Sequence, residues 1–204
     1  MPNVIDTSID PTFSVYGLVG RVTQESTLLQ SRRGMNAISH EIENATLVDG
    51  ASTRIFSAFQ RMSRFLPQVE RYRQIAARSE EVYIFGIPDI EARQMPKIAG
   101  LKYVPIHPNS QLAKEWFLVS YSTDYYSALV TEELSEMDDP DHEREFKGLW
   151  TFDLAMVSTL HEWLASMVGI DAQISQLDDM QIDYEAQVKR MSNTVGRLVG
   201  RIDF

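Results

Sequence analysis

The chain has no cysteine in its 204 residues. That excludes disulfides, thiolate metal sites and cysteine nucleophiles, and it fits a reducing cytoplasm. No apolar run approaches the ~20 residues that a membrane span needs. The opening Met1-Pro-Asn-Val-Ile-Asp has neither the basic stretch nor the apolar run of a secretion signal. Positive charge is in short supply: the formal net charge is −10, which disfavours nucleic acid and anionic lipid as partners. These absences predict a soluble, cytoplasmic protein with no nucleic-acid partner and no membrane insertion. The length suits one domain with an appendage, enough to bury a core without staples.

Catalytic motifs are also missing. There is no Gly-x-Ser-x-Gly elbow, no phosphate loop ending in Gly-Lys-Ser/Thr, and no Gly-x-Gly-x-x-Gly after a strand. His161-Glu162 begins like a zinc-protease motif, but Ala165 stands where the second histidine is needed. Around His142, the run Asp138, Asp139, Asp141 and Glu143 looks like a hard-cation loop. Pro140 and the lack of a mid-loop glycine break the calcium pattern. Glu132 and Glu133, adjacent on a predicted strand, point to opposite faces and cannot act as a pair. The sequence predicts no catalytic residue, no metal ligand and no enzyme, and it names no cofactor.

What is present reads as α+β: N-terminal helices packed on a mixed or antiparallel sheet, followed by a long C-terminal helix. Residues 1–12 read as a flexible lead-in, 13–168 as the main domain and 169–204 as a coiled-coil-like helix. Between Phe13 and Thr46 the apolar spacing is weakly helical, with Gly17, Gly20 and Gly34 as breaks. After the Val48-Asp49-Gly50 turn, Ser52 or Thr53 caps a predicted helix with Ile55, Phe56, Phe59 and Met62 on one face. Pro67 opens a second helix with Tyr72, Ile75 and Ala76 inward. Strands are predicted at Val82–Phe85, Leu101–Val104, Trp116–Tyr121 and Tyr125–Thr131, and the three-residue gap between the last two forces an antiparallel hairpin. Alternation puts Tyr83 and Phe85 on one sheet face and Trp116 and Phe117 on opposite faces, so some aromatics fall away from the helical layer to line a pocket or an interface.

From Met156 a heptad pattern runs to the end, with Ile174, Leu177, Gln181, Tyr184, Val188, Met191, Val195 and Leu198 at core positions. An unbroken helix from residue 171 predicts a parallel homodimer in which Gln181 fixes the register; folding back on its own domain is the alternative. Two charge runs stand out. Six arginines between residues 51 and 78 face only Glu70, and eight acidic residues between 132 and 145 face only Arg144. They are either solvated surfaces or complements of each other.

Several blocks together resemble a known family. They are Ala76-Ala77-Arg78-Ser79, Val82-Tyr83-Ile84-Phe85-Gly86-Ile87-Pro88-Asp89, Leu112-Ala113-Lys114-Glu115-Trp116, Ala128 to Glu133, and Phe146-Lys147-Gly148-Leu149-Trp150-Thr151-Phe152-Asp153. In this order and spacing, over roughly residues 50 to 165, the chain resembles the DICT sensory domain of diguanylate cyclases and two-component systems, in a stand-alone form of the cyanobacterial type. The resemblance implies a non-catalytic sensory adaptor that binds a ligand or a signalling partner such as a kinase, cyclase or photoreceptor. The alternative is a structural or protein-interaction module with no small-molecule ligand. Loops at strand ends suggest the site: Phe85, Gly86, Pro88, Asp89, Trp116, Trp150 and Asp153 are the candidates, with the 86–89 and 150–153 segments expected to meet at one rim.

Overall fold

A computed structural model describes residues 2–22, 28–170 and 181–201. The helices are α1 (Val15–Val22), α2 (Arg32–Leu47), α3 (Met62–Phe65), α4 (Val69–Ala76), α5 (Leu154–Met167) and α6 (Tyr184–Val199). The strands are β1 (Leu28–Ser31), β2 (Arg54–Arg61), β3 (Glu81–Ile87), β4 (Leu101–Pro105), β5 (Glu115–Tyr121), β6 (Tyr126–Glu133) and β7 (Glu145–Thr151). They form one mixed sheet in the order β1-β7-β6-β5-β2-β3-β4. The β2, β3 and β4 strands run parallel, and every other neighbouring pair is antiparallel.

The β5–β6 hairpin forms as its short gap requires, with Tyr121 opposite Tyr126. The 54–61 segment corrects the sequence reading: it is not a capped helix but an interior strand of the sheet, between β5 and β3. Ile55, Phe56 and Phe59 mimic helical spacing, yet Ile55 and Phe56 pack on opposite faces of the sheet. A strand buried on both sides reads as a continuous apolar run, which periodicity alone cannot separate from a helix. Gly17 and Gly20 lie inside α1 and Gly34 inside α2, so none of them breaks a helix.

Helices cover both faces, not one. Strands β2 and β3 are joined by a crossover through α3, a single 3-10 turn at Leu66–Gln68, and α4, as parallel neighbours require. With α2 this layer covers the face that carries Ile55, Ile84, Leu118, Leu129 and Phe146. Helices α1 and α5 cover the other, which carries Phe56, Tyr83, Phe85, Phe117 and Val130. Tyr83 and Phe85 do share a face, and Trp116 and Phe117 do diverge.

Both ends of the chain differ from expectation. The lead-in is tied down: Ile5 N donates to Tyr103 O and Tyr103 N to Asn3 O, each at 2.8 Å, so these residues flank β4. The expected helix is not unbroken: residues 182 and 183 are non-helical. Asp183 is non-helical and caps α6, its carboxylate accepting from Ala186 N at 2.9 Å. Gln181 therefore precedes the helix and is exposed, while Ile174 and Leu177 lie outside the described residues. Helix α6 folds back onto α2 through a largely polar face. Gln187 and Thr194 are buried, Leu198 packs on the core, and Tyr184, Val188, Val195 and Val199 stay exposed. The periodicity finds a helix here but not its inward side, because polar partners outcompete apolar ones for it. Gln187 bonds both the N–H and the C=O of Tyr126 at 3.0 Å, and Arg197 meets Glu41 and Asp49.

Candidate functional site: a cationic cleft between α2 and α3–α4

On the α2 side of the sheet a cleft of about 110 Å³ opens between α2 and the α3–α4 crossover. Helix α2 supplies Arg32, Asn36, Ser39, His40 and Glu43. The crossover supplies Arg64, Pro67, Gln68 and Tyr72, and the sheet supplies Ser57, Phe59, Gln60 and Trp116. Helix α2 is oriented by Ser31, whose hydroxyl caps it by accepting from Gly34 N.

The cleft's sheet end rests on a backbone irregularity. Ala58 pairs with Phe85 but Arg61 pairs with Ile87, so β2 holds one extra residue there, a β-bulge. Within it Gln60 adopts φ 62°, a left-handed conformation that costs a non-glycine residue about 1–2 kcal/mol. The bulge aims the Gln60 side chain into a buried polar network. Gln60 Nε2 donates to Glu133 Oε2 at 2.6 Å, and its Oε1 accepts from Arg64 Nη1 at 2.5 Å and from Arg144 Nη2 at 2.6 Å. Arg144 grips Glu133 as a fork, Nε to Oε1 at 2.5 Å and Nη2 to Oε2 at 2.8 Å, and stacks over Phe146 at 5.3 Å. Arg144 is 1% exposed. The neighbouring wall is anionic but paired: Glu43 accepts from the Tyr72 hydroxyl at 2.7 Å and from Arg71. Burial, and after it the Glu43 charge, hold the Tyr72 phenol well above its usual range.

Three guanidinium groups, Arg32, Arg64 and Arg144, crowd this end around one buried carboxylate. Desolvation, reinforced by the Arg144 charge, pulls Arg64 down to about 10, and the same two causes lower Arg32. Among the described residues Arg64 is held by neutral oxygens alone, Gln60 Oε1 and the Met137 carbonyl. Arg32 Nε and Arg144 Nη1 are buried with no acceptor among the described residues. Such orphaned donors cost about 1–3 kcal/mol each.

The acidic stretch before β7 lies against this end and meets the basic run at Arg61 and Arg64, while Arg54, Arg71 and Arg73 pair with other carboxylates. Arg61 pairs with Asp138 at 2.7 Å, Arg64 Nη2 donates to Met137 O at 2.6 Å, and Arg32 pairs with Asp141.

Of the sequence candidates only Trp116 lines the cleft, with its Nε1 donating to Ser39 Oγ at 3.2 Å. Phe85 is core on the opposite face, 5.4 Å from Phe117. Gly86 is a close-approach position, where a Cβ would sit 3.2 Å from the Arg61 and Met62 backbone. Pro88 is exposed, and Asp89 accepts from Ser63 N at 2.9 Å in the first turn of α3. Trp150 donates to Ser127 Oγ at 3.0 Å, and Asp153 caps α5 by accepting from Met156 N at 2.7 Å.

The expected common rim does not form. Four strand steps separate β3 from β7, roughly 19 Å at ~4.8 Å per step. The strands also run oppositely, so the chain after Gly86 and the chain after Trp150 leave the sheet at opposite ends.

The family model for the sensory domain in diguanylate cyclases and two-component systems, DICT, matches residues 12–134, more than half of the chain. The chain belongs to the DICT family. No curated protein matches it. The DICT match includes Arg32, Gln60, Arg64, Trp116 and Glu133, whereas Arg144 and the Trp150 block lie beyond it. DICT is a sensory domain of signalling proteins, so a sensory role in signal transduction follows. Among the described residues no helix is long and apolar enough to cross a membrane, and no group of histidine and carboxylate side chains is placed to hold a metal.

Proposed function

We propose that this DICT chain is a non-catalytic cytoplasmic sensory module that binds a small ligand in the cleft and reports occupancy through α6. One observation carries the reading: α2 is shared between cleft and reporter. His40 and Glu43 line the cleft. Between them Glu41, fully buried, meets Arg197 and Arg201 at 2.6 Å, and Asp49, just past the end of α2, meets Arg197 at 3.0 Å. A shift of α2 on ligand entry changes the ion pairs that dock α6, which is how a two-state element couples distant groups.

The output is association. Tyr184, Val188, Val195 and Val199 form an outward stripe on α6 that suits a second copy of the chain, and a homodimer then presents the signal to a kinase, cyclase or photoreceptor.

A thermal-shift panel of nucleotides, tetrapyrroles, lipids and organic acids tests the chamber, since a binder of the native state raises the melting temperature. A ligand should stabilise the wild type and lose its effect in Ser39→Trp, which fills the cleft. No stabilising compound, or an unchanged effect in Ser39→Trp, favours an interaction module without a ligand. Light scattering tests the output: a monomer at micromolar concentration rules out the dimer.

A further inference from the structure

We infer that the ligand of this cleft is a small organic anion whose carboxylate or phosphate is held by Arg64 and Arg32 and whose body packs on Trp116 and Phe59. The inference rests on the chamber reading above and gives its ligand a chemical class.

The first argument is charge. Arg64 lines the cleft with no carboxylate partner at ion-pair distance among the described residues; only the neutral oxygens of Gln60 and Met137 hold it, leaving N–H groups uncommitted. Arg32 lines the same cavity, and its counter-ion is a surface carboxylate: Asp141 is 71% exposed. Exposed pairs of that kind contribute little and exchange readily. Behind them Glu133 is already saturated by Arg144, Gln60 and Ser135, so it cannot neutralise the cleft as well. Glu43, the carboxylate in the lining, is taken by Tyr72 and Arg71.

The second argument is geometry. Guanidinium forks match planar carboxylates and phosphates and hold them with paired charge-assisted bonds. Arg64 is fixed at both terminal nitrogens before any ligand arrives, so little side-chain entropy remains to be lost. The indole of Trp116 and the ring of Phe59 supply an apolar wall, the usual complement to a few convergent polar groups. The bulge that holds Gln60 in a left-handed conformation is a further sign, since strain of this type collects at ligand clamps.

Asp141 then acts as an internal stand-in for the ligand. An entering anion takes over Arg32 and releases the acidic segment from the cleft's edge.

The test uses the full chain and four probes, benzoate, phenyl phosphate, inorganic phosphate and neutral benzamide, read by calorimetry and tryptophan fluorescence. Benzoate or phenyl phosphate should bind at least tenfold more tightly than benzamide. Arg64→Met should weaken that binding at least tenfold. Asp141→Asn, a surface change that leaves the core intact, should strengthen it severalfold by freeing Arg32. Preference for benzoate, or for the two phosphates, assigns the carboxylate or the phosphoryl source, and either supports the inference. Benzamide binding as tightly as benzoate and lost in Ser39→Trp overturns the anion class while the chamber stands. Unaltered benzoate binding in both Arg64→Met and Asp141→Asn overturns it as well, as does failure of every anion to bind the wild type.

Discussion

The two faces of one sheet have been built by different rules. Under α1 and α5 the packing is apolar and aromatic. Phe56 stacks on Tyr83 at 4.9 Å, Phe85 meets Phe117, and even His161 is a dry filler between Phe56 and Tyr121, its pKa driven down to about 3 chiefly by burial. Under α2 and α3–α4 the interior is polar in character. Tyr72 bonds Glu43 beside Ser57, hydroxyls link Thr46, Thr53 and Ser120, and Arg144 with Glu133 is sealed near the bulge. Buried polar groups must be satisfied or they destabilise. The α1–α5 face gives up stability at His161, whose ring nitrogens have no partner among the described residues, while the other spends it on a cleft, orphaned arginines and a strained glutamine.

If that division is right, the faces fail differently. Phe56→Ala should cost about 4–5 kcal/mol, the transfer and cavity loss of a fully buried ring, and no second substitution of a neighbour should restore it. Chemical denaturation measures it; a loss under about 2 kcal/mol would mean the α1–α5 face is looser than its packing implies.

Arg144→Met should cost about 3–4 kcal/mol, because it leaves Glu133 buried and uncompensated. Here a second deletion should help: Arg144→Met with Glu133→Leu removes both charges and should recover most of the loss. Equal damage from the single and double variants would place the cost in packing and erase the contrast.

Tyr72→Phe removes one hydroxyl from the polar layer. Since Arg71 still holds Glu43, the expected cost is about 1–2 kcal/mol, with the fold intact by circular dichroism.

The same contrast explains what the sequence made legible. Strands β3 to β6 announce themselves through β-branched and aromatic runs and a gap too short for a crossover. Strand β2 hides because Ile55, Phe56, Phe59 and Met62 also fit a helical face, and because the bulge at Gln60 breaks alternation where it would have been diagnostic. The cleft is assembled from positions between Arg32 and Trp116, with only Trp116 conspicuous beforehand. Its one advance signal was the opposition of a basic and an acidic run, whose complementarity the Arg61–Asp138 pair realises. In α6 the apolar stripe pointed to the wrong inward side, because Glu41, Asp49 and the Tyr126 backbone reward polar side chains there.

The last contrast concerns a carboxylate at the margin of the α1–α5 face. Glu115, at the start of β5, is fully buried and caps α1, accepting from Val15 N at 2.9 Å, Tyr16 N at 3.1 Å and Ser14 Oγ at 2.5 Å. Burial pushes its pKa up to about 7 from an ordinary 4.5, these hydrogen bonds hold it partly down, and the neighbouring Glu132 charge raises it further. An acid with a raised folded-state pKa binds its proton more tightly in the native state. Its contribution to stability is thus fully present below about pH 4.5 and is lost as pH rises through about 7. Glu115→Gln has no such proton to lose. The melting temperature of the wild type relative to Glu115→Gln should therefore fall as pH goes from 5 to 8, by roughly 5–10 °C for a domain of this size. A difference that stays flat would show that the α1 cap binds the ionised carboxylate strongly enough to cancel its burial, and that this edge of the face is less dry than its aromatic centre.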